Sequence, residues 1–274
     1  MIELKSAREI ETIRRSGKIT AAVLVELMAA VRPGITTRAL DTIAERGIRA
    51  RGGIPTFLGY HDFPASICAS VNDEVVHGIP GERILSEGDL LSIDIGTTFE
   101  GFVSDSAVTV AVGSISSAAA RLLAVTQESM MLGIEQMQVG NHVGDIGAAV
   151  QKHAQAHGYG VVRKLVGHGV GREMHEEPQV PNYGLPGTGP ELRPGLVLAV
   201  EPMINEGSHQ VKTLRDGWTV VTADGKLSAH FEHTIAVTHE GPRILTLRSV
   251  GEHPEVDRYR PDAEKATGSP MVRS

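Results

Sequence analysis

Cysteine is nearly absent from this chain: Cys68 is the only one in 274 residues. A single thiol excludes an intramolecular disulfide framework and a four-thiolate zinc site, and it fits a reducing compartment. Positive charge is not in excess. The net charge of −7 argues against a sequence-independent grip on nucleic acid, which needs a basic surface. No apolar run approaches the roughly 20 residues that cross a bilayer. The N-terminal stretch MIELKSAREIETIRRSGK is polar and charged, without the apolar region of a secretory signal. Neither a GxSxG elbow nor a P-loop occurs. What is present is ordinary for a globular enzyme of the cytoplasm, with 41% hydrophobic residues to build a core.

The apolar periodicity predicts four helices. Ser6 and Glu9 have capping-box spacing ahead of a stripe through Ile10, Ile13, Gly17, Val23, Leu27 and Val31. Thr36 or Thr37 caps a second helix running to Gly52-Gly53. A third spans 117–137 and a fourth 143–157. DLLSIDIG (89–96) and GFVSDSAVTVAVG (101–113) read as a strand pair about a Phe99-Glu100-Gly101 turn. Further strands are expected near 161–167, 195–204, 211–214, 217–223 and 230–238. Residues 251–274 turn polar and read as a tail.

The chain repeats itself once. Residues 33–53 align with 139–159, each a glycine, a short loop and a helix. EGDLLSIDIG meets RPGLVLAVEPM, which superposes Asp94 on Glu201 and Gly88 on Gly195. DSAVTVAVG resembles EHTIAVTHEG, which superposes Asp105 on Glu232. The second half carries extra residues around 205–227. We divide the chain into one domain, 1–250, of two halves (about 1–115 and 116–250), followed by the tail.

Four acids therefore stand at duplicated positions in apolar strands. Acids are depleted from strands and seldom buried unpaired. One alone would read as a solvated strand end. If the hairpin turns at Phe99-Glu100, Asp94 and Asp105 face each other, with Cβ atoms about 5 Å apart. Carboxylates so close repel, and divalent cations resolve the repulsion. His168, in LVGHGVG, adds an imidazole to this oxygen set; the glycines let the backbone bend around a site. GHGVG as a phosphate cradle lacks the Rossmann spacing. His77 and His175 lie in polar loops beside glycine and proline, where catalytic groups are frequent and surface histidines equally so. His153 and His157, four apart on a helix without an HExxH pattern, read as solvent-facing. Cys68 beside His61 or His77 has no orienting motif for nucleophilic catalysis and reads as an apolar filler.

Taken together, FLGYHDFPASICASVNDEVVHGIPG, SIDIGTTFEGFVSDSA, VGHGVGREMHEEP, AVEPMI and FEHTIAV resemble the type I methionine aminopeptidases, over about residues 3–247. The resemblance implies an α+β pita-bread fold, with duplicated halves, a curved antiparallel sheet and helices on its outer face. It implies two divalent metal ions (Co, Mn, Fe or Zn), with Asp94, Asp105, His168, Glu201 and Glu232 as ligands and Asp105 and Glu232 bridging. It makes His77 and His175 contacts to the scissile amide and Glu201 the proton carrier. Phe57, Tyr60, Phe63, Cys68, Met174 and Trp218 would line the methionine pocket. Met174 stands where many relatives carry phenylalanine, which affects pocket shape rather than chemistry. VGHGVGREMHEEPQVPNYG leaves no room for the type II insertion. The implied substrate is the N-terminus of nascent proteins with a small second residue, met by a cytoplasmic monomer, with the ribosome as a partner and no membrane contact. The alternative is a pita-bread binding module that has lost catalysis.

Overall fold

The computed structural model describes residues 2–248; the tail proposed at 251–274 lies outside the described residues. The first half runs α1 (Ala7–Ala30), α2 (Thr37–Ala50), β1 (Ile54–Pro55), β2 (Ile67–Val71), β3 (Glu74–Val76), β4 (Leu90–Phe99) and β5 (Phe102–Ala111). The second runs α3 (Ser117–Glu135), α4 (Val143–Ala156), β6 (Gly160–Val161), β7 (Gly167–Gly169), β8 (Glu176–Val180), β9 (Val197–Val200), β10 (Met203–Asn205), β11 (Val211–Thr213), β12 (Val220–Thr222), β13 (Ser228–His230), β14 (His233–Thr238) and β15 (Gly241–Ile244).

Local chemistry sets the helix starts. The Ser6 hydroxyl accepts the Glu9 N–H while the Glu9 carboxylate accepts the Ser6 N–H, so two orphan donors of α1 are satisfied reciprocally. Thr36, rather than Thr37, caps α2, and the helix stops at Ala50, before the left-handed Gly52. The β4–β5 hairpin closes on Glu100 and Gly101, both with positive φ, which matches the twist of the strands they join.

Among the described residues every strand pairing is antiparallel, in four sheets: β4 with β5 on one edge and β1 and β2 on the other; β13-β10-β6; β11-β12-β3; and β15-β14-β9-β7-β8. The period of two divides each strand. Leu91, Ile93 and Ile95 of β4 enter the core shared with the helices, and Ser104 of β5 bonds Thr20 of α1 at 2.8 Å. Asp94 and Asp105 consequently point to the opposite, concave face.

The duplication is visible in the hydrogen bonds. Gly34 N–H donates to Leu85 O, and Gly140 N–H to Leu192 O. The bridge Thr36↔Ile84 is matched by His142↔Glu191, and Gly88 and Gly195 share a left-handed φ of 92° and 95°. The halves meet where β5 runs along residues 230–234. Thr234 Oγ1 accepts the Asp105 N–H and donates to Asp105 O, both at 2.9 Å, while Glu232 N–H donates to Ala107 O at 3.0 Å.

The halves differ in one respect the periodicity did not reveal. The continuous strands expected at 195–204 and 230–238 are each broken, at Glu201-Pro202 and at Phe231-Glu232. Pro202 has no N–H for the ladder, so the chain leaves one sheet with β9 and enters another with β10. Glu201 and Glu232 occupy these switch points. Similarly, 161–167 is not one strand but β6 and β7 separated by a loop. His153 and His157 are half-buried rather than solvent-facing: His153 Nε2 lies 2.9 Å from Glu128 of α3.

Candidate active site

The register corrects the expected placement of the first two acids. Asp94 is opposite Ala107, and Asp105 opposite Gly96, so the carboxylates are diagonal neighbours rather than a facing pair. The turn falls at Glu100-Gly101, one residue later than the Phe99-Glu100 turn that would make the acids face, so the partner of Asp94 moves by two residues from Asp105 to Ala107. Diagonal neighbours on one face remain within reach of each other.

His168 of β7 comes in from the second half. Its Nδ1 lies 2.9 Å from Gly169 O, a carbonyl that only accepts, so the ring proton sits on Nδ1 and Nε2 presents a lone pair. That Nε2 is 3.4 Å from Glu201 Oε1 and 3.9 Å from Asp105 Oδ2. Ligand atoms of Asp105, His168 and Glu232 all fall within 4.8 Å of one another.

The electrostatics of this cluster are severe. Burial first, then the neighbouring carboxylates, push Asp105, Glu201 and Glu232 well above the carboxylate range; burial takes Asp94 to about 7. Burial, with His175 nearby, takes His168 down to about 4, so it is a neutral donor at pH 7. Asp94 Oδ1, Asp105 Oδ1 and Glu232 Oε1 are buried oxygens without hydrogen-bond partners. Native proteins seldom leave such atoms unmatched, and hard oxygens beside an imidazole suit divalent cations. The residues present fit a metal centre.

Above the cluster lies a cavity of about 260 Å³, and every residue predicted for the site lines it: Phe57, Tyr60, Phe63, Cys68, His77, Met174, His175 and Trp218 with the five acid and imidazole residues. Phe63 and Trp218 meet edge to face at 5.0 Å. Trp218 is half-buried just before β12, on the cavity wall rather than in a core strand. Cys68 is opposite Asp94 in the β2–β4 register. Burial and the acids raise its thiol well above its usual range, which keeps it protonated. His77 follows β3 in a left-handed conformation (φ 60°). Gly78, next to it, must be glycine: a Cβ there would sit 2.6 Å from Ala69 O, where β2 accepts this segment. Burial lowers His77 to about 4. His175 stands at the mouth, its Nδ1 2.7 Å from the Tyr60 hydroxyl and its ring 4.3 Å from that of His168.

Residues 11–239 match the model of metallopeptidase family M24. The chain belongs to that family. It is 54% identical over 247 residues to the methionine aminopeptidase of Clostridium perfringens, covering 90% of this chain and 99% of that one. It is 52% identical to methionine aminopeptidase 1 of Bacillus subtilis over 90% of this chain and 99% of that one. The crystal structure of methionine aminopeptidase from Rickettsia prowazekii superposes with a TM-score of 0.89 at 42% identity, covering 90% of this chain and 100% of that one. The pita-bread architecture is thereby established for this M24 chain.

Further residues complete the cavity wall. His61, Val76, Leu165, Val166 and Met203 also line the wall. Met203 stands two residues after Glu201, the alternation that places both on one face, and that signal was available. His230 is more deeply hidden. It is 2% exposed, burial takes it to about 3, and its unpartnered Nε2 lies 3.9 Å from Glu201 Oε2. Among the described residues, no helix is long and apolar enough to cross a membrane.

Proposed function

We propose that this chain is a methionine aminopeptidase, which hydrolyses the first peptide bond of peptides and newly made proteins that begin with methionine and favours a small second residue. The reading rests above all on a buried acid–imidazole cluster on the floor of an apolar, sulfur- and aromatic-lined cavity, and the relatives near 50% identity bear the same name.

Asp94, Asp105, His168, Glu201 and Glu232 would hold two divalent cations, and the donor set accepts Mn, Fe, Co or Zn. Bound there, such ions supply Lewis acidity and bring the pKa of a water from its bulk value towards roughly 7.

The rest of the chemistry belongs to side chains. Phe57, Phe63, Cys68, Met174 and Trp218 enclose the substrate's first side chain. Burying a methionine side chain stabilises the complex by about 1.5–3 kcal/mol. A lysine or glutamate side chain would lose its water there without gaining a partner. The Tyr60 hydroxyl pairs with His175 Nδ1 at 2.7 Å; with the hydroxyl as donor, the His175 proton is on Nε2 and free for the substrate. Neutral His77 and His175 donate N–H groups to the carbonyl oxygen as it gains negative charge. Glu201 takes the proton released by water and passes it to the departing amine nitrogen. We place the protein in the cytoplasm as a monomer acting on chains leaving the ribosome.

A binding module that had lost catalysis would have no use for this full donor set, and no ligand type is missing. A peptide panel tests the reading. Met-Ala-Ser should release methionine, while Leu-Ala-Ser, Lys-Ala-Ser and Met-Trp-Ser should be slower by about tenfold or more each. Equal turnover across first residues would replace methionine specificity with a broad aminopeptidase.

A further inference from the structure

The N-terminal segment reaches the active site at one place. Lys5 directly precedes the cap of α1, and its N–H donates to Gly195 O at 2.7 Å. Its side chain then runs under the loop that links β7 to β8. The stem lies against Gly171, where a Cβ would collide with Lys5 Cε. Lys5 Nζ ends 2.7 Å from Glu176 Oε2 and 3.2 Å from Glu3 Oε2. The lysine side chain is only 1% exposed and that of Glu176 14%, whereas that of Glu3 is 56% exposed.

An ion pair withdrawn from water this far is weak evidence for stability, because desolvating both ions offsets their attraction. Its geometry is more telling. The other oxygen of the same carboxylate, Glu176 Oε1, accepts the N–H groups of Arg172 at 2.8 Å and Glu173 at 3.2 Å. The front of the loop is fastened independently, with Val103 N–H of β5 donating to Gly171 O at 2.7 Å. Met174 and His175 are the two residues held between Glu173 and Glu176. One turns into the methionine pocket and the other stands over its mouth. Lys5 itself does not line the cavity.

We propose that Lys5 is a positioning residue for the hydrolytic reaction: through Glu176, its buried ammonium fixes the turn that aims His175 at the substrate. The inference rests on the function proposed above for His175. It assigns a role in the reaction to a residue 171 positions before Glu176 in the chain.

The test uses the full, metal-loaded chain with Met-Ala-Ser, together with the imidazole resonances of His175, identified by their loss in His175→Ala. Lys5→Met should lower kcat by about tenfold to a hundredfold while KM moves less than about twofold and metal content stays unchanged. Glu176→Gln should do the same, and the double variant should be no worse than either single one. In a His175→Ala background, Lys5→Met should lower kcat no further. The His175 resonances should shift in both single variants, and Glu3→Gln should leave kcat as it is. Unchanged kcat in Lys5→Met and Glu176→Gln overturns the proposal, as does a loss that persists in full without His175. If Lys5→Met does not fold, Glu176→Gln, which keeps the shape of the side chain, carries the test. If the wild-type chain cleaves no methionine peptide, the functional reading falls, and the His175 resonances still decide whether Lys5 positions that ring.

Discussion

Asp105 and Glu232 both come from the seam between the halves, where Thr234 holds the Asp105 backbone and Ala107 that of Glu232. If the two carboxylates bridge the ions as proposed, removing either takes a donor from both ions at once. Asp105→Ala and Glu232→Ala should each lose metal and lower methionine release by about a hundredfold or more. Atomic absorption on the purified variants, beside a peptide assay, checks both halves of the statement. Near-normal turnover would remove the residue from the centre. At this scale the sequence was unusually readable, because an acid in an apolar strand has few uses. His230 was not readable in the same way. It precedes Glu232 by two residues, but a histidine in such a strand is more often an ordinary core residue, and only its proximity to Glu201 distinguishes it.

At the scale of elements, helix starts were legible because capping is local chemistry. Ser6→Ala should cost about 1 kcal/mol, seen as a lower urea midpoint, with the metal centre intact. Contacts between elements were not legible. Asp41 of α2 is an example: its Oδ1 accepts the N–H groups of Ser66 and Ile67 at 2.7 and 3.2 Å, tying the helix to the start of β2. Burial raises its pKa, more than those donors lower it. The folded state therefore holds the Asp41 proton to higher pH than the unfolded chain. Stability from this group is full below the ordinary carboxylate value of about 3.9 and falls as pH rises through the higher folded value. Asp41→Asn keeps the acceptor without the ionisation. Urea unfolding between acid and neutral pH should show the wild type losing stability relative to Asp41→Asn as pH rises. A difference independent of pH would show that Asp41 does not titrate in this way. The breaks at Glu201-Pro202 and Phe231-Glu232 escaped periodicity because alternation continues through them; what changes there is the sheet to which the chain hydrogen-bonds.

At the scale of the molecule, the doubled pattern carried most of the information. Superposing Asp94 on Glu201 and Asp105 on Glu232 requires two strand pairs to meet around one cleft, and they do. The same superposition hides their difference: the first half holds its acids on two long strands, the second at the corners where strands change sheets. The diagonal offset of Asp94 and Asp105 follows from a turn centred on Glu100-Gly101 rather than on Phe99-Glu100, a one-residue displacement that strand periodicity does not fix. The cavity wall depends on distant segments, such as Trp218 beside Phe63, whose meeting no local pattern announces.

On the function proposed above, donors from both halves would hold two divalent ions, and methionine release would depend on them. The most direct measurement is the rate of methionine release from Met-Ala-Ser by chelator-stripped protein as divalent metal is added back in known equivalents. The stripped protein should show no turnover, recover on reloading and bind two ions per chain at saturation. Full turnover by protein shown to be metal-free would contradict that dependence.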